Sequence, residues 1–336
     1  MKKIISLSLA LMLVLGILIV PASAEETTLC KIGVLSMLNI DESKMKDILT
    51  ARTLLIKAGF AQNDNAEAAN TENHKNMVME PIYYDSLNAM LMALDAGDID
   101  RMEIYESTAK YLCATNDKLF YISNDGIDTS TDIGMALLKG ILANDFAFMM
   151  TEGREAMRDE FNTAVATIKE DGTMEKLIAE YIDGAIEGKD IAPIEIAKID
   201  GAETIKIAIT GSLPPMDYIA PDGTPAGFNT ALLAEISKRI GKNIELVQVD
   251  SMGRAAALAS GSVDVVFWTR TSSFANRISS KSEDEKKAFD EERDAKVLQV
   301  KEMFSPEMYS TADMPEKTII TDPFFTDTLV IVMNKT

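Results

Sequence analysis

Histidine is almost missing from this chain: a single residue, His74, in 336. That excludes a multi-histidine metal site and leaves imidazole-based acid–base chemistry without support. Cysteine is nearly as scarce. Cys30 and Cys113 are the only two, which excludes a disulfide-built scaffold. In an oxidising compartment they could pair with each other; the alternative is two separate thiols. Bases are in short supply, with 33 Lys and Arg against 53 Asp and Glu and a net charge of −20. So acidic a surface repels phosphate backbones and anionic lipid, and nucleic acid is not expected as a partner. The chain has no Gly-x-Ser-x-Gly, no Walker loop, no His-Glu-x-x-His, no Cys-x-x-Cys and no Gly-x-Gly-x-x-Gly. The common hydrolase, nucleotide, zinc and redox signatures are therefore absent, and neither an enzyme nor a cofactor or metal is expected. Glu103 and Glu106 could in principle do acid–base work, but strand alternation sets them on opposite faces unless the strand has ended.

What is present is globular. Hydrophobic residues make up 47% and charged residues 26%, a composition that builds packed cores. The length suits two domains. Met1-Lys2-Lys3, the apolar run Ile4 to Val20, and Ala22-Ser23-Ala24 before Glu25 read as a cleavable secretory signal peptide over residues 1–24; the alternative is an N-terminal membrane anchor. Cys30 follows Leu29, whereas a lipoprotein signal needs a small residue there. No later stretch approaches the roughly 20 apolar residues of a spanning helix. The expected location is the periplasm.

Past the leader, hydrophobic patterning divides the chain into two related halves. In the first, Lys31–Leu35, Met77–Tyr84 and Ile99–Tyr105 read as strands. Asp41–Phe60, Leu87–Ala96 and Ser107–Thr115 read as helices. Phe146–Met150 reads as a strand, followed by helices at Ala156–Ile168 and Met174–Ile182. In the second half, Thr204–Thr210, Ile244–Val249, Val263–Trp268 and Thr328–Met333 read as strands. Asn229–Ile240 and Ala255–Ser260 read as helices, and Pro221-Asp222-Gly223 as a turn. One unit recurs: Tyr84-Asp85-Ser86 leads through a helix to Gly97-Asp98-Ile99-Asp100, and Val249-Asp250-Ser251 leads through a helix to Gly261-Ser262-Val263-Asp264. Both are βαβ crossovers, which build parallel sheets. The expected organisation is a signal peptide at 1–24, an α/β domain at 25–145 and a return strand with helices at 146–190. A linker at 191–202 leads to a second α/β domain at 203–336, with a charged helical insertion at 279–303.

Specific motifs then point to a family. Gly211-Ser212-Leu213-Pro214-Pro215-Met216 precedes Asp222-Gly223-Thr224-Pro225-Ala226-Gly227-Phe228-Asn229. Ser260-Gly261-Ser262-Val263-Asp264 and Asp322-Pro323-Phe324-Phe325 follow. Together they resemble the solute-binding proteins of polar amino-acid ABC transporters, the type II periplasmic binding proteins. Phe161 to Tyr181 resembles that family's C-terminal helices, and residues 82–112 its second lobe. Because those helices precede the Pro-Pro lobe here, the resemblance implies two Rossmann-like α/β lobes with a hinge in circularly permuted order. The alternative is a tandem of two degenerate copies. It implies further a monomer that captures a small amino-acid-like solute and passes it to a membrane permease. A ligand-sensing or interaction module, or a dehydratase-like enzyme on the same fold, are the other functions it leaves open.

Ligands of open α/β sheets sit beyond the carboxyl ends of the strands. The candidate binding residues in one lobe are therefore Ser212, Trp268, Thr269, Arg270 and Thr271; the resemblance adds Leu213, Met216 and Tyr218 from the family's aromatic platform and Arg277 from its carboxylate-binding arginine. Met37, Asn39, Ser86 and Glu106 are the candidates in the other. The resemblance implies an arginine, Arg270 or Arg277, that grips the ligand carboxylate with a planar fork of donors; the alternative is a surface ion pair. Glu106 would pair an ammonium. Tyr218 and Trp268 would offer ring faces, or else pack in the core.

Overall fold

The computed structural model describes residues 28–36, 77–124, 142–191, 194–250, 253–272 and 316–335. The expected signal peptide, the helix at Asp41–Phe60 and the insertion at 279–303 lie outside the described residues.

The first half opens with β1 (Thr28–Leu35), β2 (Met77–Tyr84), α1 (Leu87–Ala96), β3 (Arg101–Tyr105), α2 (Glu106–Thr115) and β4 (Leu119–Ile122). In β1 exposed Leu29 and Lys31 alternate with buried Cys30 and Ile32, and from Ile32 to Leu35 every residue is buried. That is the pattern of a strand covered on both faces. Helix α1 starts where Ser86 Oγ accepts from the Ala89 N–H and stops at left-handed Gly97. It buries Leu87, Met90, Ala93 and Leu94, one stripe at helical spacing. Gly33 makes the close seating possible, since a Cβ there would fall 2.7 Å from Met90 Cγ and 2.6 Å from Ile99 Cδ1.

The chain then runs through β5 (Ala143–Thr151) into α3 (Glu155–Glu170), α4 (Thr173–Leu177), a π-helical turn at Ile178–Asp183, and α5 (Gly184–Ile186). The second half supplies β6 (Thr204–Ile209), β7 (Ser212–Leu213), β8 (Asp217–Ile219), β9 (Pro225–Ala226), α6 (Phe228–Ile240) and β10 (Asn243–Gln248). It continues with α7 (Arg254–Ala259), β11 (Val265–Ser272), β12 (Thr318–Ile320) and β13 (Phe325–Asn334). Apart from the small β7-β8-β9 sheet, the described strands form one sheet in the order β10-β6-β11-β5-β13-β3-β1-β2, with β12 on β5 and β4 on β13.

That order contains the same arrangement twice. Each half has a parallel triplet in which the first strand lies between the second and the third, β2-β1-β3 and β10-β6-β11. Beside each third strand lies an antiparallel strand taken from the other half's end of the chain. β13 pairs with β3, and β5 pairs with β11. β5 and β13 also pair with each other, Phe146 opposite Phe325 and Asn144 opposite Asp327. The two lobes are thus joined by two crossings that run side by side. The architecture is α/β with two similar lobes, as the sequence suggests. β4 and β12 were not foreseen, being four and three residues long with no marked periodicity.

Cys30 and Cys113 are free rather than bonded to each other, which corrects one of the two alternatives. Cys30 is buried in β1, between β2 and β3. Cys113 sits on α2, which packs over β3, β4 and β13. Burial pushes both thiols up from their ordinary pKa, so neither is poised as a thiolate.

Helix α6 depends on one glycine. Gly227 has φ 97°, and a Cβ there would lie 2.6 Å from the Pro215 oxygen and 2.7 Å from that of Met216. The same two oxygens accept the N–H groups of Phe228 and Asn229. Gly227→Ala is therefore expected to lower stability by about 1–3 kcal/mol, read as a reduced urea midpoint with an unchanged slope.

Candidate functional site

The carboxyl ends of β3 and β11 converge on the paired strands β5 and β13. At the end of β6, Asp217 is fully buried and its Oδ2 accepts from Thr210 N at 2.8 Å, Thr210 Oγ1 at 2.8 Å and Gly211 N at 3.1 Å. Burial raises its pKa against the pull of those donors. The nearby Arg254, also buried, is pushed down by loss of water and supported by the Asp217 charge. Its Nη1 donates to the carbonyls of Phe267 at 3.2 Å and Trp268 at 3.1 Å. Those carbonyls lie where β11 slips register against β5, between Val266 and Thr269. Trp268 there has φ 67°, a left-handed conformation that a bulky residue adopts only under constraint. The Arg254 hydrogen bonds supply that constraint.

The bulge turns Trp268 onto the hinge strand. Its ring stacks on Phe146 with centroids 3.9 Å apart and planes 11° from parallel. Tyr105, from the other lobe, meets both rings edge-on, at 5.0 Å from Phe146 and 6.3 Å from Trp268. Tyr105 is fully enclosed, and burial raises its pKa. The lobes are closed here by aromatic contact. Further out, α1 approaches β7, and burial raises the pKa of Tyr218 in the other lobe, with Tyr111 of α2 nearby.

A polar layer surrounds the rings. Helix α2 has no side-chain cap of its own. Asp327 of β13 fills that role, accepting from the Ser107 hydroxyl and the Ser107 N–H. Burial nevertheless lifts Asp327 to about 6, with the Glu106 charge adding to the rise. Glu106 binds Lys110 Nζ at 3.0 Å and accepts from Thr328 Oγ1 at 3.0 Å. Asp145 accepts from Thr326 Oγ1 at 2.6 Å. Arg270 Nη1 donates to Asn144 Oδ1 at 3.3 Å.

The residues expected to bind a solute divide accordingly. Trp268, Thr269, Arg270 and Glu106 gather at the junction. Ser212 and Tyr218 pair across β7 and β8, partly exposed. Leu213 and Met216 are packed in the core, at 1% and 0% exposure. Ser86 is spent on the cap of α1. Thr271 stands opposite Asp145 in the β11–β5 ladder. Met37, Asn39 and Arg277 lie outside the described residues. Sequence reasoning passed over Phe146, Asp217, Arg254, Asn144, Ser107 and Asp327. Acids interrupting apolar strands, such as Asp145 and Asp327, were the available signal. Among the described residues no cluster of three or more metal-ligating side chains occurs, and no helix is long and apolar enough to cross a membrane.

Residues 205–277 match the family model of bacterial extracellular solute-binding proteins, family 3. No curated protein sequence matches. Among solved structures, the ligand-binding component of an ABC-type import system from Staphylococcus aureus, solved with zinc bound, overlaps with a TM-score of 0.38. It is 10% identical, over 92% of this chain and 67% of that one. The periplasmic aliphatic sulphonate binding protein of Escherichia coli gives 0.34 at 10% identity, over 92% and 66%. The reduced OxyR regulatory domain of Pseudomonas aeruginosa gives 0.36 at 8% identity, over 92% and 90%. This chain spans about two thirds of the length of the Staphylococcus aureus and Escherichia coli proteins. Overlaps of this size assign neither ligand nor partner.

Asp327 makes stability depend on pH. A folded pKa of about 6 against 3.8 unfolded means that the folded state takes up a proton first as pH falls. This group therefore adds stability on going from pH 7 toward pH 4, and withdraws it as pH rises through about 6. Asp327→Asn should flatten that slope by about 2–3 kcal/mol between pH 7 and 4. Denaturant midpoints of parent and variant at both pH values check it; parallel slopes would contradict the assignment.

Proposed function

We propose that this chain is an extracytoplasmic solute-binding protein that holds a small amino-acid-like solute between its lobes and delivers it to the permease of an ABC importer. The observation that carries this reading is the exchange of β5 and β13. Two lobes joined by a pair of antiparallel crossings can rotate about those strands once the contact of Tyr105 with Phe146 and Trp268 is released. The carboxyl ends of both parallel triplets then face the opening, where side chains rather than ladder bonds meet a ligand. The family match over residues 205–277 supports the same reading for the second lobe. Secretion through the leader at residues 1–24 belongs to it, as does action as a monomer.

We infer that the segment order is permuted. α3 to α5 belong with the second lobe yet precede β6, while the first lobe's parallel strands come before everything else. The segment between Ile186 and Thr204 would then join what an unpermuted chain leaves as ends. In the sheet, the start of β1 and the finish of β13 lie toward the same end of the strands, since β13 runs antiparallel to β3 and β3 runs parallel to β1. Such neighbouring ends make reconnection physically cheap.

A second reading, an interaction or sensing module without a transported solute, is favoured by one observation. Tyr105, Phe146 and Trp268 fill the centre of the junction. A thermal-shift screen against amino acids, amines and small carboxylates separates the two. A ligand specific to the folded state raises the melting temperature by mass action, by about 2.7 kcal/mol of stability at a hundredfold excess over Kd. Arg270→Ala should remove the rise while leaving the unliganded melting temperature within a few degrees. A flat response across the whole screen would instead support the interaction module.

A further inference from the structure

The donors and acceptors at the junction are not evenly matched, and the imbalance speaks to the chemistry of the solute. Trp268 is 3% exposed, and its indole Nε1–H has no hydrogen-bond partner. The adjacent Thr269 Oγ1 is buried and unpartnered as well. An indole N–H can only donate, and burying it unpaired is unfavourable. One acceptor of the region, Asp217 Oδ1, also lacks a hydrogen bond, but it is fully buried beside the Arg254 charge; the carboxylates on and against β5 and β13 are engaged. Asp327 holds Ser107, Glu106 holds Lys110 and Thr328, and Asp145 holds Thr326. An ammonium group arriving at β5 and β13 would have to compete for acceptors already in use. An acceptor would meet two donors that lack partners, with the Arg270 guanidinium on the next residue. The rings packed against Trp268 are Phe146, stacked, and Tyr105, edge-on.

Resting on the solute-binding reading above, we propose that the solute is a small monocarboxylate with an apolar or aromatic body. As the lobes part, its carboxylate takes the Trp268 Nε1–H and the Thr269 hydroxyl. Its body lies against Phe146 and Tyr105. Recognition then runs through the carboxylate and the apolar body, which narrows the amino-acid-like solute proposed above to those two parts.

Trp268 is the only tryptophan in the chain, so intrinsic emission reports on this site alone. The full chain is titrated with phenylacetate, 3-phenylpropionate, L-phenylalanine, L-glutamate and phenethylamine. The two acids are expected to shift the emission and to bind at least tenfold more tightly than phenethylamine or L-glutamate, with L-phenylalanine no better than 3-phenylpropionate. By calorimetry, Trp268→Phe, which keeps a ring in the stack and deletes the N–H, should weaken the acids about tenfold. Thr269→Val should weaken them as well. Neither variant should lower the unliganded melting temperature by more than a few degrees, because each removes a donor with no partner. Should Trp268→Phe fail to fold, Thr269→Val carries the test. Binding of L-glutamate or phenethylamine as tight as that of the acids, or acid affinity unchanged in the variants, overturns the monocarboxylate assignment and leaves solute binding intact. Silence from all five compounds also overturns it, while the broader thermal-shift screen decides separately whether any solute binds.

Discussion

The antiparallel pairing of β5 with β13 is the constraint on which the rest depends. Four residue pairs, from Phe146 with Phe325 to Ala143 with Thr328, join the two lobes edge to edge. Each crossing strand then continues as the fourth strand beside the opposite half's triplet. Without that exchange, each parallel triplet would end at a bare edge, β3 in one lobe and β11 in the other, open to pairing with any other chain. With it, the carboxyl ends of both triplets are brought to one place.

That place combines a dry aromatic stack with a ring of short polar side chains. The stack is worth more than its area, since offset and edge-on ring pairs add about 0.5–1.5 kcal/mol each. It also excludes water from Arg254, Asp217 and Asp327, whose pKa values are displaced chiefly by burial. The paired groups stay tolerable because hydrogen bonds replace the water. The Trp268 N–H and Thr269 hydroxyl do not have that compensation. Leaving such donors buried costs about 1–3 kcal/mol apiece, and so small a number of unsatisfied groups in a packed core calls for a specific cause.

Much of the fold was legible because it rests on local patterns. The apolar stripe of Leu87 to Leu94 and the stop at Gly97 delimit α1 in sequence as they do in space. The recurrence of Gly-x-x-Asp after a short helix marks both βαβ units. β4 and β12 were not legible, because a short strand exists through its partner: Leu119–Ile122 through β13, Thr318–Ile320 through β5. The site was legible only in part. Trp268 to Arg270 stand out by position, but the bulge that turns Trp268 depends on Arg254, which precedes it by 14 residues. The cap that Asp327 provides for α2 spans 220 residues of sequence. Side chains whose role is set by partners so distant carry no periodic signature. The cysteines went the other way, since their number suggested a pairing that the layout of β1 and α2 does not bring about.

The exchange of strands also bears on how the molecule is made. The first lobe's triplet is synthesised long before β13, the strand that covers its β3 edge and carries the carboxylate for α2. A ribosome would thus release a half-finished sheet, its outer rim bare, and hold it so while more than two hundred further residues emerge. Maturation of this lobe is bound to be late, and a chaperone that shields open rims during translation or export would act on that interval above all.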